Sequence, residues 1–143
     1  MMKVKDVMTK GVETINPTDT VQFAAEKMDE INTGFIPIND GNKTLGLVTD
    51  RDITIRVVAK GQNPNKVKVS DIMTDDPIFC KDDMDVSAAS DLMKKNQVRR
   101  LLVTDSNDKL TGVVSLGDIA VHGNKEEAKE ALHEVSKPAE PEK

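Results

Sequence analysis

Val4-Lys5-Asp6-Val7-Met8-Thr9 returns 65 positions later as Val69-Ser70-Asp71-Ile72-Met73-Thr74. The same offset sets Val21 over Val86, Ala24 over Ala89, Met28 over Met93, Asp40 over Asp105, Asn42 over Asn107 and Leu45 over Leu110. One inserted residue near Thr111 moves the offset to 66, after which Gly46 meets Gly112, Val48 meets Val114, Asp52 meets Asp118 and Ile53 meets Ile119. Chance identities scatter, whereas these keep one order with a single gap, so the chain is an internal duplication. Residues 1–61 form the first repeat and 69–123 the second. Residues 62–68, with Gln62-Asn63-Pro64-Asn65, form the linker.

Each repeat carries the same coarse pattern. Between Thr18 and Thr33, Val21, Ala24, Ala25, Met28 and Ile31 fall on one helical stripe, with Pro17 and Thr18 as start signals. Phe35-Ile36-Pro37-Ile38, the turn-rich Asn39-Asp40-Gly41-Asn42 and Leu45-Gly46-Leu47-Val48 predict a hairpin of two short buried strands. A second helix is predicted from Asp50 to Lys60, stopping at Gly61. The second repeat offers Val86, Ala89 and Met93 on its helix, strands at Leu101-Leu102-Val103 and Val113-Val114, and a short helix from about Leu116. A unit of two or three strands cannot cover its own apolar helical face, so the repeats are expected to pack about a pseudo-twofold axis. The polar segment 124–143 reads as a short helix, Lys125 to Val135, followed by a disordered stretch from Ser136, a tail that is ordinarily just solvated.

Composition narrows the function classes. With 143 residues, 37% hydrophobic and 31% charged, the chain reads as a soluble globular protein. There is no apolar run of membrane-spanning length and no signal-peptide pattern, so a cytoplasmic location with no membrane is expected. A net charge of −5 and the absence of Trp and Tyr argue against a nucleic-acid-binding surface. The single cysteine, Cys80, lies beside Ile78 and Phe79 and reads as a buried, inert thiol.

The assembled marks resemble a tandem cystathionine-β-synthase (CBS) domain pair, or Bateman module, over about Val4 to His122. They are the Val-x-Asp-(Val/Ile)-Met-Thr openings, Phe35-Ile36-Pro37-Ile38-Asn39-Asp40 with Arg99-Arg100-Leu101-Leu102-Val103-Thr104-Asp105, and Gly46-Leu47-Val48-Thr49-Asp50-Arg51-Asp52-Ile53 with Gly112-Val113-Val114-Ser115-Leu116-Gly117-Asp118-Ile119. The resemblance implies an α/β chain of the α+β type, each repeat a small β-sheet packed with two helices. It also implies that AMP, ADP, ATP, NAD or S-adenosylmethionine binds in clefts between the repeats as a regulatory ligand. No cofactor is required, pairs commonly form homodimers, and the output passes to an unknown effector protein.

The candidate site residues follow from chemistry and from that resemblance. Thr49-Asp50-Arg51-Asp52 stands where a strand becomes a helix, with backbone N–H groups free. The Asp52 carboxylate has the capacity to accept from both ribose hydroxyls, with the Thr49 hydroxyl beside it, and Arg51 or Arg56 has the charge to meet phosphate. Thr49-x-x-Asp52 and Ser115-x-x-Asp118 equally fit helix capping boxes that need no ligand. In the second repeat Ser115 and Asp118 keep the ribose partners, while Leu116-Gly117 replaces Asp50-Arg51, so phosphate contacts there must come from elsewhere. The resemblance adds Thr14, Ile15, Ile36, Pro37, Phe79 and Cys80 around the base, positions that plain core packing also explains. Arg99 and Arg100, adjacent on a strand, are expected to point to opposite faces.

Other classes leave weaker marks. There is no phosphate-binding loop and no nucleophile elbow. His122, His133 and Cys80 lack metal-ligand spacing, and Asp105-Ser106-Asn107-Asp108 reads as a solvated turn rather than a calcium loop. Asp82-Asp83-Met84-Asp85 reads as a helix start. An enzyme using Asp50 and Asp52 would lack a base, nucleophile or metal cluster, so no enzyme activity is expected. The alternative to a ligand sensor is a structural interaction module with no physiological ligand.

Overall fold

The computed structural model describes residues 2–122 and 125–136, so most of the stretch expected to be disordered lies outside the described residues. The chain divides into two compact units, and the division cuts across the repeats. Val12–Pro77 is one unit; Met1–Gly11 joins the segment from Ile78 onward in the other.

In the unit Val12–Pro77, α2 spans Val21–Ile31, following α1 (Val4–Val7) and β1 (Thr9–Lys10) of the other unit. Its start is Thr20, three residues inside the expected Thr18, because the Thr20 hydroxyl accepts the Phe23 N–H at 3.1 Å. Val21, Ala24 and Met28 are buried as the stripe predicts, while Ile31 is exposed at the helix end. The hairpin is β2 (Phe35–Asp40) and β3 (Lys43–Thr49), and β4 (Thr74–Asp75) completes a sheet ordered β2-β3-β4. The following helix, α3 (Asp50–Ile53), runs on as a π-helical turn over Thr54–Val58, a rare form, and Gly61 takes φ +66° just beyond it. Ile15, Val21, Ala24, Ile36, Ile38, Val48, Val57, Val69 and Ile72 make the core of this unit.

The other unit has a four-stranded sheet ordered β1-β7-β6-β5. Its strands are β1, β5 (Phe79–Lys81), β6 (Arg100–Thr104) and β7 (Leu110–Ser115); β5 runs parallel to β6 and the other pairs are antiparallel. Helix α4 (Val86–Asn96) buries Val86, Ala89, Ser90 and Met93, with Asp85 at its N-cap position held by Lys3 at 2.9 Å. Helix α5 (Leu116–His122) buries Leu116 and Ile119. Helix α6 (Lys125–Val135) packs on α4 and α5. It is no solvated appendage: Ala131 is 0% exposed and belongs to the core, with Val135 packed against it.

Each unit therefore closes on the opening segment of the other repeat. Val4 donates to the Met84 carbonyl, Lys5 to Asp82 and Val86 to Met2. At the equivalent positions Val69 donates to Asp19, Ser70 to Pro17 and Val21 to Val67. Thr9 and Lys10 then pair with Val113 and Gly112, as Thr74 and Asp75 pair with Leu47 and Gly46. Gly46 and Gly112 are required by this approach: a Cβ at Gly46 would stand 2.5 Å from the Thr74 oxygen, and one at Gly112 2.3 Å from the Thr9 oxygen.

One asymmetry has a simple cause. In the second repeat Leu102 donates to the Ile78 carbonyl, and β5 forms a three-residue parallel ladder with β6. Pro37 occupies the matching place in the first repeat and has no N–H to give, so the segment around Ile15 is held by a single bridge to Ile38.

Candidate functional site

The Thr49/Asp52 and Ser115/Asp118 pairs are both reciprocal capping boxes. Asp52 N–H donates to the Thr49 hydroxyl at 3.0 Å and Thr49 N–H to the Asp52 carboxylate at 2.9 Å. Ser115 and Asp118 repeat this at 2.9 and 3.1 Å. The two carboxylates then differ. Asp52, 7% exposed, also accepts from the Thr74 hydroxyl at 3.2 and 3.3 Å and faces the Arg56 guanidinium at 3.9 Å. Arg56 in turn donates to the carbonyls of Ile72 and Met73. Asp52 is thus built into the junction of α3 and β4, and its replacement disturbs structure before it tests binding. Asp118 is half-buried, and one of its oxygens accepts no bond among the described residues.

The remaining candidates in the unit Val12–Pro77 sort by burial. Ile15 and Ile36 lie in the core and Pro37 is buried, while Thr14 and Arg51 are exposed. In the other unit Phe79 is exposed at the start of β5, and Cys80 is buried in the core, where its carbonyl accepts from Thr104. Burial raises the Cys80 thiol from 9.0 to about 11. The folded state then holds that proton more tightly than the unfolded chain. Its contribution to stability is complete below about pH 9 and is lost as the pH rises from there towards 11. At pH 8 a maleimide reagent is expected to modify native Cys80 only through opening of the fold, and to react at once in denaturant. Rapid labelling of native protein at pH 8 would contradict the buried placement.

Arg99 and Arg100 depart from the expected opposition of faces. Strand β6 begins at Arg100, and Arg99 sits on the bend before it, where its carbonyl accepts the Leu116 N–H at 3.0 Å. Off the strand, alternation no longer applies, and both arginines line one cavity of about 630 Å³ within the unit. Ser115, Leu116, Gly117 and Ala120 form its wall, and Lys129 and Leu132 of α6 complete it. Among the described residues its lining holds three cations and no carboxylate. The phosphate partners that Leu116-Gly117 lacks are thus present on β6 and α6. The matching positions of the first repeat carry Gly34-Phe35 and Asp50-Arg51, so acid and base there stand side by side. Sequence reasoning missed Lys129 and Leu132; Ala131 and Val135, spaced i to i+4, were the available sign of a docked face.

A second groove, of about 760 Å³, runs between α4 and α6, but its charges are already paired. Lys94 bridges Asp91 at 3.0 Å and Glu130 at 3.6 Å, and the hydrogen bond from Asp91 raises the lysine above its ordinary range. Among the described residues no cluster of three metal-ligating side chains occurs, and no helix is long and apolar enough to cross a membrane.

A sequence profile for the CBS domain matches residues 4–59 and 69–123. The chain belongs to the CBS domain family. This CBS pair is 40% identical over 139 residues to the uncharacterized protein YlbB of Bacillus subtilis, spanning 95% of the chain and 93% of the relative. It is 39% identical to the CBS domain-containing protein YhcV of the same organism, spanning 95% and 96%. The CBS domain protein TA0289 of Thermoplasma acidophilum superposes with a TM-score of 0.81 at 24% identity, over 93% of this chain and 75% of that one, a likeness of fold. The CBS domain pair of MJ0100, solved with 5′-methylthioadenosine and S-adenosyl-L-methionine, has a TM-score of 0.73 and 26% identity over 84% and 94%. CBSX2, solved in complex with AMP, has a TM-score of 0.68 and 25% identity over 92% and 96%.

Proposed function

We propose that the protein is a regulatory module that binds an adenosine nucleotide in the cavity of Arg99, Arg100, Ser115 and Lys129. The observation that carries this reading is the charge of that cavity: three cations meet on a partly apolar wall with no acid among its described lining residues. A nucleotide offers both matching features, a phosphate for the guanidinium groups and a flat base for apolar surface. Asp118 and the Ser115 hydroxyl supply the ribose partners. The AMP bound by CBSX2 and the adenosine compounds bound by MJ0100 support the ligand class. The cationic lining favours AMP, ADP, ATP and NAD over S-adenosylmethionine, whose sulfonium adds positive charge. Homodimers of pairs, a cytoplasmic location and an effector protein that receives the signal belong to the same reading.

Thermal unfolding followed by circular dichroism tests it. At about 100 times its dissociation constant a ligand stabilises the fold by about 2.7 kcal/mol. For a chain of this size the midpoint is then expected to rise by roughly 5–10 °C with AMP, and by much less in Asp118→Ala. No rise with any of the five compounds, in protein shown to be ligand-free, would favour the interaction module.

A further inference from the structure

We infer that α6 is a ligand-held latch, in which an anion seated between Arg99, Arg100 and Lys129 pins the C-terminal helix to its unit. This rests on the nucleotide reading of the same cavity and adds what binding does. Helix α6 lies beyond residue 123, where the matched CBS segment ends. It nevertheless supplies Lys129 and Leu132 to the lining.

The attachments of α6 are few and of two kinds. Ala131 and Val135 pack into the core. Outside it stand the exposed Lys94–Glu130 pair and a bond from Gln97 to the Glu134 carbonyl at 3.4 Å. Exposed pairs of this kind contribute little. A helix of this length is marginal in water on its own, so α6 is helical to the extent that it is docked. With the cavity empty, Lys129 faces two arginines of like charge, which works against docking. A phosphate among the three reverses that sign and turns the repulsion into two-sided attraction. Binding and docking are therefore linked: whatever holds α6 down tightens the ligand, and the ligand holds α6 down. The released helix, with two lysines and four glutamates, is an acidic segment that an effector has access to only when the cavity is empty.

The test is amide hydrogen exchange on the full chain, read by mass spectrometry, without ligand, with saturating AMP and with saturating adenosine. AMP is expected to slow exchange across Lys125–Val135 by about tenfold or more, and adenosine, which has no phosphate, to leave it unchanged. Lys129→Gln is expected to weaken AMP about five- to tenfold and to abolish the slowing in α6, while Lys129→Arg retains both, since one charge-assisted hydrogen bond is at stake. AMP protection confined to Arg99–Thr104 and Ser115–Asp118 would overturn the latch and leave the nucleotide reading intact. Equal protection of α6 by adenosine would also overturn it. Absence of binding by either compound would remove the nucleotide reading itself.

Discussion

Replacing Arg99 and Arg100 together by glutamine is expected to weaken AMP binding by about 100-fold, with adenosine affinity changed less than about threefold. Each guanidinium–phosphate contact in a partly dehydrated cavity is a charge-assisted hydrogen bond of about 1.5–3 kcal/mol. Two such bonds, discounted for coupling, give about 3 kcal/mol, and each 1.4 kcal/mol is a factor of ten. The fold supplies its own control. Both arginines are surface groups beside Lys129, so removing two like charges relieves repulsion, and the unfolding midpoint should hold or rise slightly. Raising the salt concentration shortens the reach of the same charges and should shrink the difference between the wild type and the variant. Calorimetric titration of AMP and adenosine into both proteins decides the matter. An AMP affinity unmoved by the double substitution would sink the cavity as the phosphate site.

The second large effect concerns stability. Gly112→Ala is expected to cost about 3 kcal/mol and to lower the unfolding midpoint by about 10 °C, with Gly46→Ala close behind. The introduced methyl would meet the Thr9 carbonyl oxygen at 2.3 Å, or the Thr74 oxygen at 2.5 Å. Those atoms belong to strands already fixed in ladders and cannot swing aside as a side chain would. Gly117→Ala is the contrasting variant: the nearest atom is the Ser115 hydroxyl at 3.5 Å, and alanine favours the α5 helix. Its midpoint should match or exceed the wild type. Because Gly112 is where β1 seats, its alanine variant should also expose residues 2–11 to limited proteolysis first. A Gly112→Ala protein as stable as the wild type would show that β1 does not seat there.

How much of this was written in the chain depends on the range of the interaction. Periodicity carried the helical stripes and hairpins, because Val21, Ala24 and Met28 answer to a local repeat of 3.6 residues. The capping boxes were equally local and appear as read. The state of Asp52 was not legible, since Thr74, which helps fill its carboxylate, lies 22 positions away. Arg99 and Arg100 were assigned a strand alternation that fails at a strand's first residue. Lys129 and Leu132 escaped because α6 is polar by composition, and only Ala131 and Val135 are needed to seat it. The partners of β1 and β4 were likewise invisible: a two-residue strand has no pattern that names its neighbour.

The traded openings make each unit a domain swap whose two participants happen to share one polypeptide. In a swap between separate chains, closure is bimolecular and dilution undoes it. Here the connection through Gly11 and Pro77 turns both closures into intramolecular events at an effective concentration in about the millimolar range. Duplication thus fixed the exchange permanently. A fragment cut at the end of the first repeat would carry an opening with no sheet to receive it and a sheet with no opening to close it. The smallest piece holding a full set of its own bonds is Val12–Pro77, a contiguous stretch able to finish on the ribosome while the leading residues wait for the chain beyond Ile78.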